Sequence, residues 1–309
     1  MQEFRKRFCG WMDKVLDAKL RILSKILLES VNFFNEKGFI QLLPVMLGKS
    51  TDPLGPDPNS SLLKTPSIEY AGQTFYTMNS MILHKQVAVR ELNKIFIMSP
   101  NIRLEKLERG STGKHLFEFT QLDFEIADAK MNQVMKLVEE YLKRVSSRTR
   151  VMEEFGELGI EPFKFKTPFP SYTTHELEEK YGKEWEIPAS KDNEQPFWAI
   201  CHKREFYDKE DKSNPGHYLN YDLVYPQGFG EALSGGEREH EYERIIERMG
   251  KDRLEKSIYK FYIEEAKKGF VASAGAGIGM ERLARFMTKT KHIGDVQLFR
   301  RVPGENVAI

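Results

Sequence analysis

SAGAGIGMERLARF, residues 273–286, joins a run of small residues to a helix-forming segment with Arg282 in its first turn. Gly275, Gly277 and Gly279 let a strand and the start of a helix approach a ligand closely, and helix N–H groups beside an arginine favour an anion there. The spacing matches neither a dinucleotide fingerprint nor a P-loop, and a glycine run alone is as readily a packing turn.

Upstream, NIRLEKLERGSTGKHLFEFTQLDFEI (residues 101–126) predicts two strands, 101–105 and 117–126, around a polar tip at 110–114. Arg103 and Glu105 are two apart and share one side of the sheet, where an arginine can fork a phosphate. His115 and Phe119 follow the tip and offer a polar group and a ring face for a nucleobase. Between these blocks, YPQGFGEALSGGEREHEYE (residues 225–243) places Glu231 and Ser234 three apart, a hard-oxygen pair of the kind Mg²⁺ takes beside nucleotide phosphates, with Arg238 four residues on. Glu237, Glu239, Glu241 and Glu243 read as the solvated face of a helix.

The other segments supply a frame for these blocks. Leu16, Leu20, Leu23, Leu27, Val31 and Phe34 mark one stripe of a helix over 12–37, closed by Gly38. A short strand over 39–43 stops at Pro44, and the proline-rich stretch 48–66 reads as a mobile lid. Helices are predicted at 80–92, 130–150, 237–249, 252–268 and from 280, and strands at 94–98, 197–200, 221–225, 232–235 and 271–276. Strands framed by helices without regular alternation argue an α+β fold on an antiparallel sheet. Residues 161–193 show no clear period and read as an insertion into a single domain spanning 1–309.

Composition narrows the function. The 309 residues carry 47 basic and 46 acidic side chains, which excludes a binder relying on bulk positive charge. No apolar run is long enough for a bilayer span, so a cytoplasmic protein that binds no membrane is expected. Cys9 and Cys201 lack a CxxC partner, which fits a reducing compartment and predicts no zinc site at either.

In order and spacing the three blocks resemble the signature motifs of class II aminoacyl-tRNA synthetases: a helix and strand ending at Pro44, Arg103-x-Glu105 with His115 and Phe119, and Gly279-x-Glu281-Arg282. FEFTQLDFEI and SGGEREHEYE point to the aspartyl and asparaginyl branch. The resemblance implies a catalytic core in which Arg103 and Arg282 are catalytic and grip the ATP phosphates. Glu105, His115, Phe119, Glu231 and Gly279 would complete the ATP site, and Glu231 and Ser234 would hold Mg²⁺. It further implies that Ser80, Lys85, Gln121, Asp123 and Arg238 bind aspartate. Two cations, Lys85 and Arg238, converging on one side chain favour a carboxylate over an amide.

Two departures refine this expectation. About a dozen residues precede the first helix, too few for the anticodon-binding barrel of these enzymes. Ser80-Met81-Ile82-Leu83-His84-Lys85 also has Ile82 where aspartyl enzymes carry a glutamine. Both are similar to the archaeal asparagine synthetases of this branch. The likeness implies a homodimeric ligase that adenylates aspartate with ATP and amidates it with ammonia, with tRNA not expected as a partner. The alternatives are a truncated ligase that charges tRNA or another carrier, and a non-catalytic nucleotide-binding paralogue.

Overall fold

An Asp13 cap and a wide apolar face organise the first long helix, α1 (Lys14–Glu36), whose start is fixed where the Asp13 carboxylate accepts from the Leu16 N–H. The computed structural model describes residues 13–54 and 62–306. The most buried residues of α1 are Ala18, Ile22, Ile26, Glu29, Ser30, Phe33 and Phe34, so of the predicted stripe Phe34 is fully buried and the rest lies to one side of the innermost face. Leu23, Leu27 and Val31 flank it, half-buried. The predicted stripe was one edge of a broader apolar face, because Ser30 goes inward to share a 2.7 Å hydrogen bond with buried Tyr141.

The central sheet has eight strands in the order β1, β6, β8, β13, β12, β11, β10, β9. These are β1 (Ile40–Gln41), β6 (Lys94–Ile102), β8 (Glu118–Ala127), β13 (Ser273–Gly279), β12 (Gly230–Glu237), β11 (Asn220–Tyr225), β10 (Phe197–Ile200) and β9 (Ser171–Thr173). The interior is antiparallel, and the outermost pair at each edge is parallel. This is the expected α+β antiparallel sheet flanked by helices. Three further pieces, β2 (Leu47–Gly48), β4 (Ser67–Tyr70) and β5 (Gln73–Thr77), form a small second sheet, while β3 (Leu62–Lys64) pairs with β7 (Leu104–Glu105).

Helices α1, α3 (Met131–Thr149) and α9 (Met280–Met287) cover one face of the main sheet around Phe34, Phe96, Phe124 and Tyr141. Beside α2 (Ile82–Leu92), the helices α7 (Tyr242–Lys251) and α8 (Lys260–Lys268) build a second apolar cluster. Residues 161–193 contribute β9 to the sheet edge, together with α5 (Thr174–Tyr181) and α6 (Glu186–Asp192), and the single-turn α4 (Glu154–Glu157) precedes them.

Several boundaries differ from expectation. Strand β6 runs through Pro100 instead of stopping at 98, because β1 pairs only as far as Phe96 and the missing Pro100 N–H interrupts no ladder. Residues 237–241 are not helical: β12 extends to Glu237 and α7 starts at Tyr242. Glu237 and Glu239 are buried, not solvated. Glu237 accepts from the Met131 N–H at 3.2 Å and Glu239 from Arg244 Nε at 2.7 Å. In the stretch read as a lid, Ser50, Thr51 and Asp52 are buried and β2 and β3 form, while residues 55–61 lie outside the described residues. Among the described residues no helix is long and apolar enough to cross a membrane.

Candidate active site

The period-two alternation of Gln121-Leu122-Asp123-Phe124-Glu125-Ile126 along β8 sends Leu122 and Phe124 into the core and Gln121, Asp123 and Glu125 to the opposite face. Register places Gln121, Asp123 and Glu125 opposite Gly279, Gly277 and Gly275 of β13. A Cβ at Gly277 would come within 2.8 Å of Asp123 Oδ1, and one at Gly275 within 2.1 Å of the Phe124 carbonyl. The glycine run therefore serves two purposes. Gly275 accommodates the neighbouring strand, and Gly277 and Gly279 keep the sheet floor open beneath a cavity of about 310 Å³ and its smaller annex.

At one end of the floor, Arg103, Glu105, His115, Phe119, Glu231, Gly279 and Arg282 gather as the sequence implied. The Arg103 guanidinium lies 5.2 Å from the Phe119 ring centre and donates through Nε to the Asn79 carbonyl at 3.0 Å. Arg282 Nη1 is 2.8 Å from Glu231 Oε1, and the Ser234 hydroxyl donates to that same oxygen at 3.3 Å. Burial alone would raise the Glu231 carboxyl, but Arg282, Lys114, Arg204 and Arg103 hold it down to about 2. His115 falls to about 3 through burial, reinforced by Arg282, Arg109 and Lys114, so it is neutral at physiological pH. Arginine only donates, so His115 Nε2 accepts from Arg109 at 2.9 Å and the ring proton lies on Nδ1, 2.6 Å from the Thr112 hydroxyl.

At the other end, Ser80, Lys85, Gln121, Asp123 and Arg238 line the larger cavity. Lys85 Nζ donates to Asp123 Oδ1 at 2.8 Å and to the Phe124 and Ala276 carbonyls at 3.4 Å, which uses all three of its N–H bonds. Arg238 forks onto Glu125 at 3.0 and 3.3 Å and reaches Asp208 at 3.3 Å. Two cations thus face three carboxylates, Asp123, Glu125 and Asp208. With carboxylate partners of their own, Lys85 and Arg238 do not by their charge alone favour a substrate carboxylate over an amide. Gln121 accepts from Asn101 Nδ2 through its carbonyl oxygen, and Asp123 Oδ2 is buried with no hydrogen-bond partner.

Sequence reasoning missed a second ring of groups. Asp52, Glu205, Tyr207 and Asp208 close the wall beside Arg238, with the Tyr207 hydroxyl donating to Asp52 at 3.0 Å. Burial, then Asp52 and Asp208, push Glu205 up to about 8. Lys114, read only as part of a hairpin tip, meets Glu186 of α6 at 2.6 Å, and Glu186 also accepts from the Glu231 N–H. Glu281 receives the Thr120 N–H on both oxygens, and burial raises it to about 7. The Gly-x-Glu-Arg motif was the available signal for Glu281. Asp52 and Glu186 had none, lying in segments without periodicity.

An antiparallel floor that gathers these motifs defines the class, and the comparisons agree: the chain belongs to the tRNA synthetases class II (D, K and N), whose family model matches residues 1–303. Among curated relatives it is 28% identical to the asparagine–tRNA ligase of Pyrococcus abyssi, over 93% of this chain and 69% of that protein. It is 29% identical to the asparagine–tRNA ligase of Thermococcus gammatolerans, over 76% of this chain and 59% of that protein. The chain therefore spans about six to seven tenths of these relatives' length. The fold matches asparaginyl-tRNA synthetase from Pyrococcus horikoshii complexed with asparaginyl-adenylate, with a TM-score of 0.82 and 24% identity over 94% of this chain and 70% of the other. These findings overturn two expectations. The relatives are tRNA ligases, not asparagine synthetases, so neither ammonia-dependent asparagine synthesis nor the exclusion of tRNA as a partner stands.

Proposed function

We propose that this chain is an ATP-dependent ligase that activates asparagine or aspartate as its adenylate and passes the aminoacyl group to tRNA. The observation that carries this reading is Asp123 Oδ2, a buried carboxylate oxygen without a partner on the floor of a cavity whose far end holds Arg103 and Arg282. An unpaired buried acceptor is costly, and the ammonium of an amino acid would satisfy it, with Gln121 alongside. That anchors the amino acid so that its carboxylate oxygen points toward the arginines.

The α-carboxylate then attacks the α-phosphorus of ATP; the bond to the bridging oxygen breaks and pyrophosphate leaves. Arg103 and Arg282 offset charge growing on the phosphoryl oxygens, and Phe119 stacks on the base. Placement does most of the work, so no covalent enzyme nucleophile is required. The Glu231 carboxylate and Ser234 hydroxyl are hard oxygens 3.3 Å apart, a donor set that suits Mg²⁺. Magnesium bound there would neutralise phosphate charge. Nucleotide phosphates drawing on Arg282 would free the Glu231 oxygen it now holds. Neutral His115 acts by orienting Arg109 instead of contributing its own charge.

The test is ATP–pyrophosphate exchange with asparagine or aspartate, followed by aminoacylation of the matching tRNA transcript. Exchange that depends on one of the two amino acids, and label transferred to tRNA, is the expected result; no exchange with either would refute the reading. Ile40, Leu43 and Leu47, in the segment that follows α1, are 47, 90 and 40% exposed, and a second copy of the chain covering them accounts for that apolar surface. Sedimentation at micromolar concentration showing monomer alone would refute the dimer.

A further inference from the structure

Cys201, His175 and His217 come from three separate segments, the end of β10, the first turn of α5 and the loop before β11, yet their ligand atoms lie within 4.8 Å of one another. Cys201 Sγ is 3.0 Å from His217 Nδ1 and 4.0 Å from His175 Nε2. We propose that this cluster is a binding site for a borderline-soft divalent cation of the zinc and cobalt type, separate from the nucleotide site.

Geometry and chemistry support this independently of the function above. Tetrahedral Zn²⁺ with sulfur at 2.3 Å and imidazole nitrogen at about 2.0 Å holds its ligand atoms about 3.4–3.6 Å apart. The observed separations bracket that range, so closing the site needs shifts of about an ångström or less from most pairs. His175 is exposed and free to make that adjustment, while Cys201 is buried. The backbone is already fastened around the three ligands. The Thr174 hydroxyl donates to the Cys201 carbonyl at 2.8 Å, the Cys201 N–H to the Asn220 carbonyl at 3.2 Å, and the Asp211 N–H to the His217 carbonyl at 2.8 Å. Cys201 holds φ +71°, a conformation that few non-glycine residues adopt and that turns the chain out of β10 toward the histidines. A thiolate with two imidazoles selects zinc or cobalt over magnesium or calcium, and the exposed side leaves a fourth position for water.

The site has a structural consequence. Residues 201–217 form a loop that supplies Arg204, Glu205, Tyr207 and Asp208 to the wall of the larger cavity. A cation bridging Cys201, His217 and His175 ties both ends of that loop to α5 and raises the melting temperature of the whole chain.

Titration of the chelator-stripped full chain with Co²⁺ tests this. Wild type, and Cys9→Ser as a control, are expected to take up one equivalent. The uptake should show a near-ultraviolet thiolate-to-cobalt band and intense visible d–d bands, both abolished by Zn²⁺. Cys201→Ser should lose the thiolate band, and His175→Ala and His217→Ala should each weaken Co²⁺ at least tenfold and cancel the metal-dependent rise in melting temperature. His175 is exposed, so its variant decides the matter even if Cys201→Ser fails to fold. No thiolate band in wild type, a band lost in Cys9→Ser, or unchanged affinity in His175→Ala would overturn the proposal.

Discussion

At the nucleotide end of the cavity Arg103 holds one backbone carbonyl and stays partly exposed, whereas at the amino-acid end Arg238 is buried and divided among Glu125, Asp208 and the Gly275 carbonyl. The first arrangement keeps donors in reserve for a ligand that carries its own negative charge. The second closes on itself, so its charges fix the shape of the floor and only a few atoms, such as Asp123 Oδ2, remain for a substrate. The same residue type thus keeps donors unspent in one region and braces in the other, and burial separates the two.

Breaking the bracing end should have the largest effect. Glu125→Ala takes from buried Arg238 the carboxylate it forks onto, leaving it only Asp208 at 3.3 Å and the Gly275 carbonyl, and should cost about 3–5 kcal/mol in urea unfolding. A loss below about 1 kcal/mol would mean the network is not closed as described. Arg103→Ala is the converse: unfolding should change by about 0.5 kcal/mol or less, while pyrophosphate exchange falls about 10²- to 10³-fold. If stability and exchange fell together, Arg103 would be bracing too.

Two carboxylates at the nucleotide end sharpen the comparison through pH. Glu281 is raised from its ordinary 4.5 to about 7 by burial, so the folded state keeps a proton that the unfolded chain has already released. Stability from this group therefore declines as pH rises from about 4.5 through about 7, by on the order of 3 kcal/mol, and Glu281→Gln should flatten that slope in pH-dependent melting. Glu231 has the opposite sign. It is held down to about 2, so its contribution is present above about 4.5 and is lost as pH falls toward 2. The smallest change is Phe119→Leu, which removes a ring face and should raise the KM for ATP by about fivefold, roughly 1 kcal/mol, with little effect on folding.

Gln121 and Asp123 were legible only through the resemblance to the aspartyl and asparaginyl branch, and the faces of the strand account for where they lie. Gln121, Asp123 and Glu125 alternating with Leu122, Phe124 and Ile126 admit one orientation, and the glycines of β13 fall opposite the polar set. Residues 237–241 were misread for a related reason. Their alternating acids fit a solvated helix as well as the end of a strand, and only the neighbours Met131 and Arg244 show that Glu237 and Glu239 turn inward. Lys85 and Arg238 were recognised as cations near one point, but their partners Asp208 and Glu125 come from elements far away in the chain, so the neutralisation could not be seen.

By itself the sequence determined the strand alternation and the order of the three motif blocks, because each follows from local periodicity or from residues a few positions apart, while the gathering of Arg103, Glu105, Phe119 and Arg282 was implied only by the resemblance to a known family. Only the tertiary structure decided which charges stay available, how the wall of Asp52, Glu205 and Tyr207 closes, and that Cys201 meets His175 and His217. Those outcomes depend on distances between segments whose spacing along the chain carries no period, and burial and pairing are properties of the packed chain.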